Sequence, residues 1–272
     1  MNSSPLRFKK KMVIDISATN FGILLFLVFL GGFIDSIAGG GGIITLPAYL
    51  SMGIPAHFAL GTNKFSGFFG TLFASIKYVR GNAVNLKIAL IATIFSIVGA
   101  AAGSKIATII DEDTIHIAIL IITPLILVFF LIKDLLIKDI EKKNEITPIK
   151  TVLYSASIGF VVGIYDGLFG PGTGTFMTIG FNAFLGLNLI VASGNARLCN
   201  LGSNFGSLIV FLFEHKVLFP LAIFTAISGI AGNILGSNLA LKKGERLIKP
   251  LITLVMVLII IKIIRDRFLI SP

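Results

Sequence analysis

The chain of 272 residues has few groups that could do covalent chemistry. It has one cysteine, Cys199, so neither a disulfide framework nor a multi-cysteine metal site can exist within a single chain. His116 stands on an apolar stretch and His215 in a short polar one. Neither has a second histidine or cysteine at ligand spacing, so no metal and no cofactor is expected. A membrane-embedded enzyme should place a nucleophile beside a base, or a metal cluster, on facing helices, and neither is evident. Charge is also scarce. Asp, Glu, Lys and Arg make up 13% of the chain, where a soluble domain carries about 25%. The net charge of +10 invites a nucleic-acid partner, but no soluble segment remains to carry one.

Apolar sequence fills the gap. The hydrophobic fraction is 55% and the mean hydropathy +0.97. Long stretches hold no charge at all: Ile88–Ser104, Thr114–Ile132, Leu198–Phe213 and Val217–Leu241. A helix needs about 20 apolar residues to span a bilayer. A transmembrane barrel would show short alternating segments, which these are not. Eight hydrophobic blocks are centred near 29, 68, 96, 124, 158, 206, 229 and 257. Backbone groups in lipid must bond within their own segment, so the blocks are expected to be helices. A multi-pass protein of the cell (inner) membrane is the expectation, with the lipid bilayer as its first partner.

The blocks come in two sets. Residues 31–42 read GGFIDSIAGGGG and residues 162–174 read VGIYDGLFGPGTG. Asp35 matches Asp166, and Gly39 and Gly41 match Gly170 and Gly172, all 131 residues apart. Thr62-Asn63 matches Gly194-Asn195, and Gly70-Thr71 matches Gly202-Ser203, at 132. GSKIA (103–107) matches GSNLA (236–240) at 133. So small a drift points to two tandem homologous halves, and such repeats in membrane proteins commonly frame a paired binding site. The expected division is an N-terminal tail (1–20), a first repeat (21–138), a linker (139–150) and a second repeat (151–268). The basic stretch Arg7, Lys9, Lys10 and Lys11 before the apolar run Phe21–Leu30 imitates a cleaved signal. Its counterpart, 152–169, lies mid-chain, so 21–38 is expected to be part of the fold.

Loop charges set the orientation. Lys77, Arg80 and Lys87 follow the second block, and Asp111-Glu112-Asp113 the third. In the second set the bias is exchanged. Glu214-His215-Lys216 is nearly neutral, and Lys242, Lys243, Arg246 and Lys249 follow the next block. Under the positive-inside rule the two sets then face opposite ways. That requires an odd number of crossings in each, so one block must not cross fully. The glycine-interrupted first block of each set is the natural choice. The expected fold is an all-α polytopic membrane protein with inverted repeats. Each repeat is a broken, V-shaped helix pair (21–38 with 43–52; 151–168 with 175–186) followed by three transmembrane helices. The basic N-terminus opposes this orientation. The competing arrangement has eight full crossings and both termini inside.

Three groups of residues could bind something. A half-helix starting after each glycine break presents free N–H groups and the positive end of its dipole, suited to an anion. Gly41, Gly42 and Thr45 stand at one such start, and Gly172, Thr173 and Thr175 at the other. Tight helix packing is the competing use of those glycines. The second group is Thr62, Asn63 and Lys64 with its counterpart Asn195 and Arg197. These cations lie in apolar surroundings, since 36–63 and 167–196 hold no charge. Snorkelling to an interface is the alternative. The third is the acid pair Asp35 and Asp166. It could bond the Asn motif or Lys64 and Arg197, titrate with protons, or help hold a co-transported cation. Lys105 is expected to snorkel or to form an ion pair, and Pro124 to kink its helix.

On Gly31 through Gly42, Thr45 with Pro47, and Gly61 through Lys64, the chain resembles the TauE/SafE sulfite exporter family, over about residues 20 to 268. Pro171 within the second break and the displaced Arg197 depart from the pattern. The resemblance implies a bacterial inner-membrane permease for a small anion, sulfite or an organosulfonate. Apart from it, H+ or Na+ are candidate coupling ions and a homodimer is a candidate assembly. No Walker motif is present, so the driving force would be an ion gradient or the anion's own gradient. An inside-negative potential favours anion export by about 2.3 kcal/mol per charge per 100 mV. A membrane-embedded enzyme or a non-transporting assembly subunit is the alternative reading.

Overall fold

The structure is a computed structural model that describes residues 17–136 and 147–243. The eighth block near 257, the cations Arg246 and Lys249, most of the N-terminal tail and most of the linker lie outside the described residues. The described chain is helical throughout: α1 (Ala18–Ala38), α2 (Gly42–Ser51), α3 (Ala56–Arg80), α4 (Leu86–Ile109), α5 (Glu112–Leu136), α6 (Pro148–Leu168), α7 (Thr173–Leu185), α8 (Leu189–Phe213) and α9 (Phe219–Lys243). Among the described residues, α1, α4, α6, α8 and α9 are long and apolar enough to cross a bilayer.

Side-chain caps start several of these helices. Ser17, Asn85, Thr147 and Asn188 each accept a bond from the N–H three residues on, opening α1, α4, α6 and α8. Three helices start without one: α3 after Pro55, and α2 and α7 after Gly41 and Gly172, two residues with no side chain to offer. The chain turns sharply just before α2 and α7. Gly39 (φ 82°), Gly170 (φ 95°) and Gly172 (φ 78°) are left-handed, where a Cβ would be strained.

The turns fold each broken helix back on itself. In the first hairpin a Cβ on Gly31 of α1 would meet the Thr45 side chain of α2 at 2.4 Å, and Leu24 and Val28 share an apolar cluster with Ala48 and Tyr49. In the second, the Tyr165–Phe176 rings stand 5.4 Å apart and the Tyr154–Phe184 rings 5.7 Å apart. The return arm therefore runs back along α6. The sequence expectation of two broken helix pairs agrees with these hairpins within a few residues at each end. α3, α4 and α5 follow the first hairpin, and α8 and α9 follow the second.

The hairpins are clasped by the opposite half of the chain. α6 packs along α4, and α1 packs along α9. Small residues make both contacts close. A Cβ on Gly99 or Gly103 would lie 2.3 Å or 2.1 Å from the carbonyls of Phe160 and Ile164. On the other side, a Cβ on Gly232 or Gly236 would lie 2.1 Å or 2.3 Å from the carbonyls of Phe29 and Phe33. In lipid, where apolar burial drives little helix association, this backbone-to-backbone approach supplies the dispersion contact. Large apolar side chains point outward instead, among them Leu90, Ile94 and Val98 on α4 and Ile223, Phe224 and Ile227 on α9. Polar side chains point inward, an arrangement suited to lipid.

Two side chains tie the ends. His57, at the start of α3, places Nδ1 2.5 Å from Glu112 and Nε2 3.0 Å from the Ala107 carbonyl. It pins α3 to the α4–α5 turn, and sequence reading did not single it out. Lys105, expected to snorkel or pair, bonds Glu214 at 2.5 Å. That contact holds the Glu214 carboxyl below its usual range.

Gly103→Ala should lower the thermal unfolding midpoint in detergent, at a cost of about 1–3 kcal/mol for the forced displacement of Ile164. Gly22→Ala, with nothing within 4 Å of the new methyl group, should leave it unchanged. Equal midpoints for the two variants would show that the α4–α6 approach is not close.

Candidate functional site

The tips of the two hairpins meet. A Cβ on Gly39 would lie 2.2 Å from the Gly174 carbonyl carbon, and one on Gly42 would lie 3.2 Å from Pro171 Cα. The Thr175 hydroxyl donates to the Ala38 carbonyl at 2.5 Å, joining the second return arm to the end of α1. Each tip carries one of the acids, and each acid takes its cation from the other half. Lys64 of α3 approaches Asp166 of α6 at 2.7 Å. Arg197 of α8 approaches Asp35 of α1 at 3.3 Å and also donates to the Asp35 carbonyl. Lys64, Arg197 and Asp166 are almost wholly buried. A buried charge without its partner is severely destabilising, so the crossed pairs constrain how the tips sit.

Local bonds fix the acids further. Asp35 Oδ1 accepts from the Gly41 N–H at 3.2 Å, one of the free donors at the start of α2. Asp166 Oδ1 accepts from the Thr173 hydroxyl at 2.7 Å. At both tips, then, a glycine-broken helix start and an acid one turn earlier are bonded to each other. Of the three uses weighed for the acids, bonding is the one the geometry displays, with the cations as partners.

A cavity of about 50 Å³ opens beside the tips, room for a compact group of a few heavy atoms. Of the residues singled out in the sequence, it is lined by Asp35, Gly41, Gly42, Thr45, Asn63, Lys64, Asp166 and Thr173. The Thr45 hydroxyl donates to Asn63 Oδ1 at 2.7 Å, which leaves the Asn63 amide N–H groups for the cavity. Thr62, Gly172, Thr175, Asn195 and Arg197 are not among its lining. Thr62 accepts from the Leu218 N–H and Asn195 from the Asn85 N–H, at 3.2 Å and 2.8 Å. Gly172 packs on Ile126, and Arg197 lies behind Asp35.

The rest of the lining was not foreseen. Ser66 joins Asn63 and Lys64 on α3. Asn200 and Asn204 come from α8 and Asn233 from α9. Asn204 Nδ2 donates to the Asn200 carbonyl at 2.9 Å and Asn233 Nδ2 to the Gly229 carbonyl at 2.9 Å. Asn233 Oδ1, buried at the cavity, has no partner. The available signal was amides inside uncharged runs, with Asn200 and Asn204 four residues apart on one helix face. Judging those runs by charge alone hid it. Among the described residues no cluster of His, Cys, Asp or Glu could hold a metal.

Removing one member of a pair tests its weight. Arg197→Gln should cost about 3–5 kcal/mol, because Asp35 is left buried and unpaired. Asp35→Asn in the same chain should recover part of that loss. Thermal unfolding of both single variants and the double variant checks this, and strictly additive losses would contradict a direct pair.

Comparison with known proteins places the chain. The sequence profile described as "Sulfite exporter TauE/SafE" matches residues 24–263. The "Probable membrane transporter protein ORF9" of Sinorhizobium sp is 37% identical over 249 residues, covering 90% of this chain and 94% of that one. The "Probable membrane transporter protein YfcA" of Escherichia coli (strain K12) is 32% identical over 251 residues, 92% of each. A "Probable membrane transporter protein" of Haemophilus influenzae is 33% identical over 253 residues, covering 93% of this chain and 98% of that one. No solved structure matches the chain. The chain belongs to the TauE/SafE sulfite exporter family of membrane transporters.

Proposed function

We propose that this protein is a secondary transporter of the inner membrane that carries a small anion, sulfite or an organosulfonate, through the cavity at the hairpin tips. The observation that carries this reading is the cavity's donor set. Lys64 Nζ and the Asn63 amide lie beside the starts of α2 and α7, the positive ends of two helix dipoles, with the Gly41 N–H already given to Asp35. Such a set suits a compact oxyanion, which needs several short N–H bonds and positive potential at once. The family description speaks for sulfite, while the relatives' names say only membrane transporter.

The two halves are read as inverted repeats. Contacts exchanged between them support the duplication. Gly61 of α3 lies against the Lys216 carbonyl, and Gly194 of α8 against the Ala83 carbonyl. The turns after α3 and α8 match as well, with Asn82 (φ 52°) and His215 (φ 53°) at equivalent positions. Each hairpin returns to the side it entered. The three helices α3, α4 and α5, read as crossings, then turn the second half over, in line with the exchanged loop charges.

A counterflow screen in proteoliposomes with sulfite, sulfoacetate, thiosulfate and small carboxylates tests the function. Sulfite or a sulfonate should accelerate exchange, and Asn63→Ala should slow it at least about tenfold while the protein still elutes as a folded species. No exchange of any anion in the panel, or normal exchange by Asn63→Ala, would contradict the reading. Single cysteines placed at 82 and 215 should be labelled by an impermeant reagent from opposite faces of the membrane. Cys199, wholly buried, gives no background. Labelling from the same face would refute the inversion.

A further inference from the structure

The cavity's charges already cancel. Lys64 faces Asp166 and Arg197 faces Asp35, so among the described residues the site holds two cations and two anions. An arriving anion adds an uncompensated charge in a place where such a charge is costly. It also finds its most direct cation occupied, since the Lys64 ammonium stands 2.7 Å from an Asp166 oxygen.

The two pairs are not alike. Arg197 lies outside the cavity lining and grips Asp35 through both the carboxylate and the main-chain carbonyl. A guanidinium stays charged, and the Gly41 N–H that also bonds Asp35 can only donate. Everything touching that carboxylate therefore requires it to remain an anion. Asp35 reaches the cavity too, but only in the second pair do both members, Lys64 and Asp166, line it. The second partner of Asp166 is the Thr173 hydroxyl, which can donate to a carboxylate or accept from a carboxylic acid. Only this pair can open without leaving a donor facing a donor.

We propose that Asp166 is a tethered competitor for the transported anion, released from Lys64 by taking up a proton. A proton from water in the cavity adds to the Asp166 carboxylate and makes a carboxylic acid. The Lys64 ammonium keeps its own protons, and the anion takes the place of the Asp166 oxygen beside it. This rests on the anion-transporter reading above. The titratable and charged groups facing Asp166 are Lys64 from α3, Asp35 from α1 with Arg197 behind it, Cys199 from α8, and Tyr165 on its own helix, whose hydroxyl is held by the Pro171 carbonyl. From α4 comes the uncharged Ser104, bonded to the Gly167 carbonyl.

Charge balance has a consequence. The site is neutral when empty and neutral when it holds one proton and one monovalent anion, so the two should cross together as an electroneutral pair. The membrane potential then exerts little force on the loaded or the empty site, and the proton gradient sets the direction.

The test uses the full-length protein in proteoliposomes with an entrapped pH dye and an anion of the panel that shows counterflow and is monovalent at the assay pH. Wild type should take up one proton per anion. At equilibrium the anion should accumulate about tenfold per unit of imposed pH gradient, with no response to a potassium–valinomycin potential. Asp166→Asn should retain measurable counterflow, lose its dependence on the pH gradient, and make net uptake sensitive to the potential. Exchange that is potential-driven and free of proton movement in the wild type would overturn this inference and leave the anion-transporter reading intact. Failure of every anion to exchange would overturn both. The proton count in the wild type decides the matter even if the variant does not fold.

Discussion

Two ion pairs, each crossing from one half of the chain to the other, are the constraint on which the site depends. Asp35 and Asp166 each sit one turn before a glycine break. Neither could remain ionised in an apolar interior without a cation, and its own half does not supply one. Lys64 reaches across to Asp166 and Arg197 to Asp35. The pairing holds the hairpin tips side by side, with the Gly39 and Gly174 backbones in contact. The close helix packing serves the same end. α4 and α9 clasp the outer arms of the hairpins through glycines, which brings the polar tips to a common depth.

Pairing leaves the two tips unequal. Arg197 lies behind the cavity and bonds both the carboxylate and the carbonyl of Asp35, while both members of the Lys64–Asp166 pair line the cavity. The cavity draws differently on α3 and α8. It takes Asn63 and Ser66 from α3, but the α8 residue matched to Asn63 in the sequence, Asn195, carries a backbone N–H of the α3–α4 turn instead. On the repeat reading proposed above, one pair braces the tips and the other lies open to the cavity.

Much of this was legible in the residues. Runs of glycine, with Pro171 in one, mark both breaks because no uninterrupted helix tolerates them. Charges inside apolar blocks marked Lys64 and Arg197. The crossing of the pairs was not legible, because it depends on the tips lying side by side, which no local pattern encodes. The register of the second half was also hidden. α7 has 13 residues where α2 has 10, and the turn after it is one residue shorter. On the repeat reading, these lengths pair Lys64 with Arg197, and Thr62 rather than Asn63 with Asn195. Asn200, Asn204 and Asn233 escaped because an amide within an uncharged run does not interrupt it. In lipid such an amide is nonetheless a strong polar feature.

The central claim is that Lys64 is the cation the anion meets, while Arg197 holds the structure. Anion-dependent thermal stabilisation of the purified protein tests it most directly, since a ligand that binds only the folded state raises the unfolding midpoint. Sulfite, or the anion that exchanges best, should raise the midpoint of the wild type in a concentration-dependent way. It should leave a folded Lys64→Gln variant unmoved at the same concentrations. An undiminished, saturable shift in Lys64→Gln would contradict the claim.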